Sequence, residues 1–191
     1  MEKIIELDRQ LFLFLNELHV AWLDQPMFLI STEWFWFPLY GFLVYLMVKK
    51  TKKQSWLPIL AILVTVLLSD QISGKIKRSV QRYRPSHDIL LENQVHTVNG
   101  YRGGMYGFVS SHAANTFAVA FFVSLFLELS FVYFQLLFFW AVLVSYSRLY
   151  LGVHFPMDLL CGGCLGLLIA GIVFLLAKQI EKKFFSSTYL P

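Results

Sequence analysis

Charged residues are scarce in this chain of 191 residues, since Asp, Glu, Lys and Arg make up only 15% of it. Soluble domains carry about 25% charged residues, so an ordinary soluble globule is excluded. Cysteine is scarce as well, and the two residues Cys161 and Cys164 exclude a disulfide-stabilised secreted scaffold. Apolar residues make up 57% of the chain, which excludes an intrinsically disordered protein.

The apolar residues occur in five blocks that are long enough for helices crossing a bilayer, which need roughly 20 residues. Helices are expected because backbone polar groups in lipid must be hydrogen-bonded within their own segment. The sequence thus predicts an all-α integral membrane protein, with one domain over residues 1–191 and five transmembrane helices in one bundle. The predicted spans are Met27–Val48, Trp56–Ser73, His112–Leu129, Phe131–Ser147 and Met157–Ala177.

The first 26 residues have a different pattern. Leucine and isoleucine recur at helical spacing while most charged residues fall on other positions, which predicts an interfacial helix over residues 1–26. Acidic residues interrupt any continuous apolar core, so a cleaved signal peptide is not expected. The apolar positions are Ile4, Leu7, Leu11, Leu15 and Leu18.

Lysine clusters follow the first and the last predicted spans, at 49–53 and 178–183. The positive-inside rule places both clusters in the cytoplasm and, with five spans, the N-terminus outside. The connection 74–110 then lies on the periplasmic side although it is basic itself. We keep this orientation because those basic residues have a functional explanation, whereas the lysines at 49–53 suggest none besides orientation.

Three polar segments border the spans. In the first, Lys77 and Arg84 are seven residues apart, which places them on one face of a helix that extends from the second span and ends near Pro85. An ammonium and a guanidinium on one face suit an anion, since Arg binds phosphate oxygens with two hydrogen bonds. The alternative is a basic patch attracted to anionic lipid headgroups.

The second segment is Val109-Ser110-Ser111-His112. Ser110 or Ser111 is a natural N-cap, and the backbone N–H groups after it favour an anion beside His112. A capped helix with an interfacial histidine is the alternative.

The third segment contains Arg148, His154 and Asp158. Asp158 follows His154 by four residues, so its carboxylate can accept a hydrogen bond from the imidazole and leave the other ring nitrogen free as a nucleophile. A structural Arg148–Asp158 ion pair is the alternative.

With alternating spans, all three segments reach the same membrane face. Two histidines, permanent cations and a carboxylate at one site match the needs of phosphoryl transfer. The cations neutralise phosphoryl oxygens, one histidine attacks phosphorus, and the other protonates the leaving oxygen.

These residues resemble the signature of the type-2 phosphatidic acid phosphatase and haloperoxidase superfamily, which reads Lys-x6-Arg-Pro, Pro-Ser-Gly-His and Ser-Arg-x5-His-x3-Asp. The first part is complete here as Lys77, Arg84 and Pro85. The third part is complete as Ser147, Arg148, His154 and Asp158. In the middle part Ser110 and His112 match, while Val109 and Ser111 replace Pro and Gly.

The resemblance implies that His154 forms a phosphohistidine, that Asp158 orients His154, and that His112 protonates the leaving alkoxide. It implies that the phosphoryl oxygens are bound by Lys77, Arg84, Arg148, Ser110 and backbone N–H groups near Ser111. Neither a metal nor another cofactor is expected.

We therefore expect a phosphatase in a bacterial inner membrane, with its site facing the periplasm. Its partners are membrane lipids and a lipid phosphate substrate, without nucleic acid, and the oligomeric state is left open. Lipid A, undecaprenyl diphosphate and phosphatidylglycerophosphate are the candidate substrates. A lipid phosphotransferase and a non-catalytic lipid-phosphate binder or transporter are the alternatives.

The Cys161-Gly-Gly-Cys164 motif has the spacing of a redox or zinc site. Because it lies within an apolar span, and because Gly166 and Gly171 follow it, we interpret it as a small-residue face for close helix packing.

Overall fold

The computed structural model describes residues 2–51, 55–91 and 93–184. Lys52 and Lys53 of the predicted cytoplasmic cluster lie outside the described residues. The described chain is helical, and short 3-10 helices cover Glu33–Trp36, Pro85–His87 and Ile89–Leu91. The α-helices are α1 (Glu2–Glu17), α2 (Ala21–Ile30), α3 (Phe37–Thr51), α4 (Trp56–Val80), α5 (Ser111–Leu127), α6 (Phe131–Tyr150) and α7 (Pro156–Phe184).

Among the described residues, α4, α6 and α7 are each long and apolar enough to cross a membrane, and the bent segment from α2 to α3 makes a fourth candidate if it counts as one span. The outer faces of these helices expose large apolar side chains such as Leu67, Phe139 and Leu175. Such faces are suited to lipid. The chain is therefore a multi-pass membrane protein, and the number of five spans stays a prediction.

The first predicted span, Met27–Val48, is wrong as a continuous helix. The chain bends by 72° between α2 and the helical segment Glu33–Thr51. Pro38 lies in the first turn of α3, where its missing N–H costs no helical hydrogen bond. Thr32 Oγ1 and Trp36 Nε1 donate to the carbonyls of Leu29 and Ile30, at 2.6 and 2.8 Å. The Ile30 carbonyl is thereby hydrogen-bonded at the break, and the Leu29 carbonyl accepts both the hydroxyl and the backbone N–H of Thr32.

The predicted N-terminal helix over residues 1–26 is also interrupted, between α1 and α2. The Tyr150 hydroxyl accepts a hydrogen bond from Val20 N–H at 3.2 Å and lies 3.0 Å from its carbonyl oxygen. The Tyr150 side chain of α6 thus provides hydrogen-bond partners for the backbone of Val20, which lies between α1 and α2.

The amphipathic helix α1 turns two polar residues and one aromatic residue inward. Asp8, Phe12 and Asn16 are buried against the rest of the chain. The predicted apolar positions Ile4, Leu7, Leu11 and Leu18 are exposed. The helix is therefore held to the protein by polar contacts and by the packing of Phe12 on Phe155, and its exposed apolar side chains are left available to lipid.

Helix α5 lies at the centre of the bundle, packed mainly against α7 and also against α3, α4 and α6. Gly162 and Gly166 of α7 face the backbone of α5. A Cβ atom would lie 2.5 Å from the Ser110 carbonyl oxygen at Gly162 and 2.1 Å from the Ala114 carbonyl oxygen at Gly166. The small-residue face predicted from the sequence thus lets the two backbones touch at these positions.

Lys50 has a structural role in addition to any role in orientation. Its ammonium donates to the Phe126 carbonyl at 2.8 Å and to the Glu128 carboxylate at 3.0 Å. A cation at the carbonyl end of α5 is favourable because of the helix dipole.

Candidate active site

The helix that carries Lys77 ends before it reaches Arg84, so the prediction that both lie on one helix face is wrong. Helix α4 stops at Val80, and Gln81 adopts the left-handed conformation with φ 51°. The extended chain then pairs with a later segment, because Arg84 N–H donates to Met105 O at 3.1 Å and Gly107 N–H to Arg82 O at 2.9 Å. This pairing brings the guanidinium of Arg84 to the site.

His154 lies between Asp158 and Arg84 and is 1% exposed. Its Nδ1 is 3.4 Å from Asp158 Oδ2, the contact expected from their spacing. Its Nε2 is 3.0 Å from Nη1 of Arg84. Because a guanidinium only donates, Nε2 must be the unprotonated nitrogen, and Nδ1–H then donates to the carboxylate. The neutral ring thus carries its lone pair on Nε2, where it accepts the hydrogen bond from Arg84.

Arg148 is buried and makes no ion pair with Asp158, contrary to the structural alternative. It donates to Ser31 Oγ, and its Nη2 donates to the Tyr101 hydroxyl at 2.9 Å. Within the described part of the chain, its buried Nε has no hydrogen-bond partner. Arg148 therefore keeps a donor that suits an anionic oxygen.

The N-terminus of α5 completes this side of the site. Ser110 is the N-cap, and its Oγ accepts from Ala113 N–H at 3.4 Å. Ser111 Oγ contacts both the Lys77 ammonium and Ser73 Oγ, the latter at 2.7 Å. The serine that replaces the family glycine therefore holds the lysine.

Charge is concentrated here. Lys77, Arg84 and Arg148 lie close enough to act electrostatically on both His112 and His154. Burial, followed by the charge of Arg148, lowers the pKa of Arg84 to about 10. Burial, followed by the charges of Arg84 and Arg148, lowers the pKa of His154 well below its usual value. The site thus favours a bound anion and a neutral His154.

Three residues at the site were missed in the sequence. Arg82 binds Asp158 Oδ1 at 2.9 Å, and Asp8 of α1 binds Arg82 at 2.6 Å. A Cβ atom at Gly107 would lie 2.8 Å from Asp158 Oδ2. In the sequence, the one signal for these three residues is the spacing of Arg82 and Arg84, because residues two apart lie on one side of an extended chain.

His112 also borders an apolar cavity of about 330 Å³ between α3, α4 and α5. Polar residues Ser31, Glu33 and Asn115 lie on its lining with His112, and the remaining walls are mostly apolar, including Leu43, Ile62, Val66 and Val119. Across residues 2–51, 55–91 and 93–184, no group of three or more His, Cys, Asp and Glu side chains is arranged to hold a metal ion.

The sequence model of the PAP2 superfamily matches residues 58–182. This range includes all three signature segments. The chain belongs to the PAP2 superfamily.

Two PAP2 relatives are lipid A 4'-phosphatases. The Porphyromonas gingivalis protein is 40% identical over 178 residues, which cover 91% of this chain and 74% of that protein. The Bacteroides thetaiotaomicron protein is 34% identical over 195 residues, which cover 100% of this chain and 86% of that protein. The crystal structure of Aquifex aeolicus LpxE is similar as well, with a TM-score of 0.71 and 25% identity over 88% of this chain and 95% of that one.

Gly107→Ala tests how tightly the PAP2 site is packed. The new Cβ would press on Asp158 Oδ2 and shift the partner of His154, so we expect phosphate release to fall at least about tenfold with the protein still folded. Gly104→Ala is the matched control, because a Cβ there meets nothing within 4 Å. Equal activities of the two variants would contradict the packing argument.

The lowered pKa of His154 predicts that its ring stays neutral below pH 6.5. We expect the His154 signals of histidine-labelled protein in micelles, assigned with His154→Gln, to begin titrating well below pH 6.5 in NMR spectra. A midpoint at or above pH 6.5 would show that His154 is not desolvated as described.

Proposed function

We propose that this membrane lipid phosphate phosphatase hydrolyses a phosphomonoester of lipid A through a phosphohistidine on His154. The observation that carries the proposal is the position of the apolar cavity, which reaches from His112 at the cationic site to the side of the bundle. The choice of lipid A rests on the two relatives at 40% and 34% identity.

The cavity suits a substrate with a charged head and an apolar tail. At its polar end, Ser31 also contacts Arg148, so the cavity is joined to the cationic site. At its other side, Val44 and Leu63 line the cavity and are exposed on the outside of the bundle. A lipid in the bilayer would place its phosphate at the cations and an acyl chain between α3 and α4.

In the first step, the guanidinium of Arg84 turns from His154 Nε2 to the phosphoryl oxygens. The freed Nε2 lone pair attacks phosphorus while the phosphorus–oxygen bond to the lipid breaks. Asp158 accepts the hydrogen bond from Nδ1–H, which stays on the ring, and stabilises the positive charge that the ring gains. The phosphate dianion offsets the surrounding cations, so His112 takes up a proton when the substrate binds and donates it to the departing alkoxide. Lys77, Arg84 and Arg148 neutralise the charge on the phosphoryl oxygens, assisted by Ser110 and by backbone N–H groups near Ser111.

In the second step, water attacks the phosphohistidine. His112, now neutral, takes a proton from that water, and the phosphorus–nitrogen bond breaks with its electrons returning to Nε2. Phosphate leaves and His154 regains the neutral form with Nδ1 protonated. Both steps use groups of this chain alone, which is why we propose a metal-independent reaction.

The membrane arrangement we propose is one domain over residues 1–191 with five spans, the bent α2–α3 segment and α5 included. The exposed apolar stripe of α1 supports an interfacial position for this helix. The lysines in the last turns of α3 and α7 support a cytoplasmic location for those helix ends. The site and the 74–110 connection then face the periplasm of a bacterial inner membrane.

The direct test is phosphate release from lipid A by detergent-purified protein in the presence of EDTA. We expect release to persist with EDTA and to fall by about a thousand-fold or more in His154→Ala, because the nucleophile is lost. Undecaprenyl diphosphate and phosphatidylglycerophosphate serve as competing substrates, and the highest kcat/KM identifies the preferred one.

Controls separate the remaining functions. His87→Ala changes a loop histidine whose ring contacts Gly103 O, and we expect it to retain activity. Transfer of phosphate to an added acceptor lipid, with no release in its absence, would favour a phosphotransferase. Lipid A binding that needs Arg84 and Arg148, without turnover and without a need for His154, would favour a binder.

Val66→Phe tests the cavity as the acyl-chain site. We expect the larger ring to raise KM for lipid A by about tenfold while leaving hydrolysis of a short-chain phosphate ester unchanged, since only the long chain needs the space. Leu67→Phe is the matched control, because Leu67 is 58% exposed on the outer face. Equal KM values for the two variants would place the chain elsewhere.

A further inference from the structure

We infer that Asp8 and Arg82 are positioning residues for the proposed reaction, and that α1 is thereby part of the catalytic apparatus. This inference rests on the proposed function, because it concerns the His154–Asp158 pair. The observation behind it is a continuous chain of contacts from α1 to the nucleophile.

The contacts around Asp158 leave this carboxylate no freedom to rotate. Its Oδ2 lies 3.1 Å from the Phe155 N–H and 3.4 Å from His154 Nδ1. Its Oδ1 receives Nη1 of Arg82 at 2.9 Å. Arg82 is therefore the residue that holds the second oxygen while the first faces the imidazole.

Arg82 is in turn held by Asp8. Nη2 of Arg82 lies 2.6 Å from Asp8 Oδ2, and the guanidinium carbon lies 4.1 Å from the centre of the Phe155 ring. The other oxygen of Asp8 accepts the Met157 N–H at 2.9 Å, in the first turn of α7. One planar guanidinium thus bridges two carboxylates and stacks on the residue that follows His154.

Burial makes this arrangement energetically significant. The side chains of Asp8 and Asp158 are 3% and 0% exposed, and that of Arg82 is 22% exposed. A buried carboxylate is costly unless it is paired. Breaking the Asp8–Arg82 ion pair would therefore cost more free energy than breaking an ion pair on the surface.

The charges have opposite effects on His154. Arg82 opposes the positive charge that the imidazole gains during attack, and Asp8 offsets Arg82. The charged or titratable groups around His154 are Lys77 of α4, Arg82 and Arg84 of the extended segment, His112 of α5, Arg148 of α6, Asp158 of α7 and, through Arg82, Asp8 of α1. Neutralising Asp8 should therefore lower the pKa of His154, and neutralising Arg82 should raise it.

The test measures kcat and KM against pH for 4-nitrophenyl phosphate with purified full-length protein, next to the melting temperature. For Asp8→Asn we expect kcat to fall about tenfold with KM within about twofold. The acid limb of kcat/KM should move to lower pH in Asp8→Asn and to higher pH in Arg82→Gln. Asp8→Glu and Arg82→Lys keep the charges, so their acid limbs should stay at the wild-type position.

The matched control is the neighbouring ion pair on the same helix. Arg9 Nη2 lies 3.0 Å from Asp88 Oδ2 and ties α1 to the same region without contacting Asp158. Arg9→Gln should lower the melting temperature, because α1 loses an ion pair to the rest of the chain, while kcat and the acid limb of kcat/KM stay unchanged. If Asp8→Asn and Arg82→Gln behave like Arg9→Gln, the two residues are structural tethers and the inference is overturned.

A further variant keeps the test decisive if Asp8→Asn does not fold. Arg82→Lys retains the charge but lacks the planar guanidinium that bridges two carboxylates. A lower kcat with an unmoved acid limb of kcat/KM supports the inference. A wild-type kcat overturns it. The proposed substrate can fail separately from this inference. If the wild-type protein hydrolyses 4-nitrophenyl phosphate but not lipid A, and His154→Ala hydrolyses neither, only the choice of lipid A is refuted.

Discussion

The backbone contact between α5 and α7 is the constraint on which the site depends. Gly162 and Gly166 allow α7 to touch the first turns of α5, and Ser110 N–H donates to the Asp158 carbonyl at 2.9 Å. The starts of the two helices are thereby fixed side by side, which sets His112 and Ser111 next to His154 and Asp158. A side chain at either glycine would separate the helices and the two histidines with them.

Around this contact the structure accumulates positive charge that its own carboxylates only partly balance. Arg84 and Arg148 are both buried, and the pKa of Arg84 falls to about 10 because of burial and Arg148. This mutual repulsion is unfavourable in the free protein, and the phosphate of the proposed substrate would relieve it. Burial, together with the same positive charges, lowers the pKa of His154 and keeps its ring neutral, as the nucleophile of the proposed reaction requires.

Helix α1 contacts this charged site with its buried side. Its buried side supplies Asp8 to Arg82 and Asn16 to the Leu149 and Tyr150 carbonyls, at 3.2 and 2.9 Å. Its exposed residues include the apolar side chains Ile4, Leu7, Leu11 and Phe14. Because a lipid surface is a favourable environment for these side chains, the interfacial position we propose for α1 would link the membrane mechanically to the geometry of Asp158.

The sequence by itself determined the helical class, the lipid-facing apolar runs, the glycine face of α7 and the signature residues Lys77, Arg84, Arg148, His154 and Asp158, because each is visible in local composition or short spacing. It did not determine the break after Ile30, the end of α4 at Val80 or the Asp8–Arg82–Asp158 chain. Those were decided by tertiary structure. Trp36 and Tyr150 satisfy backbone groups at the interruptions in the first 36 residues, the strand-like pairing with residues 105–107 turns Arg84 inward, and Asp8 meets a partner 74 residues away. Contacts at such separations leave no period in the sequence, so only the folded chain reveals them.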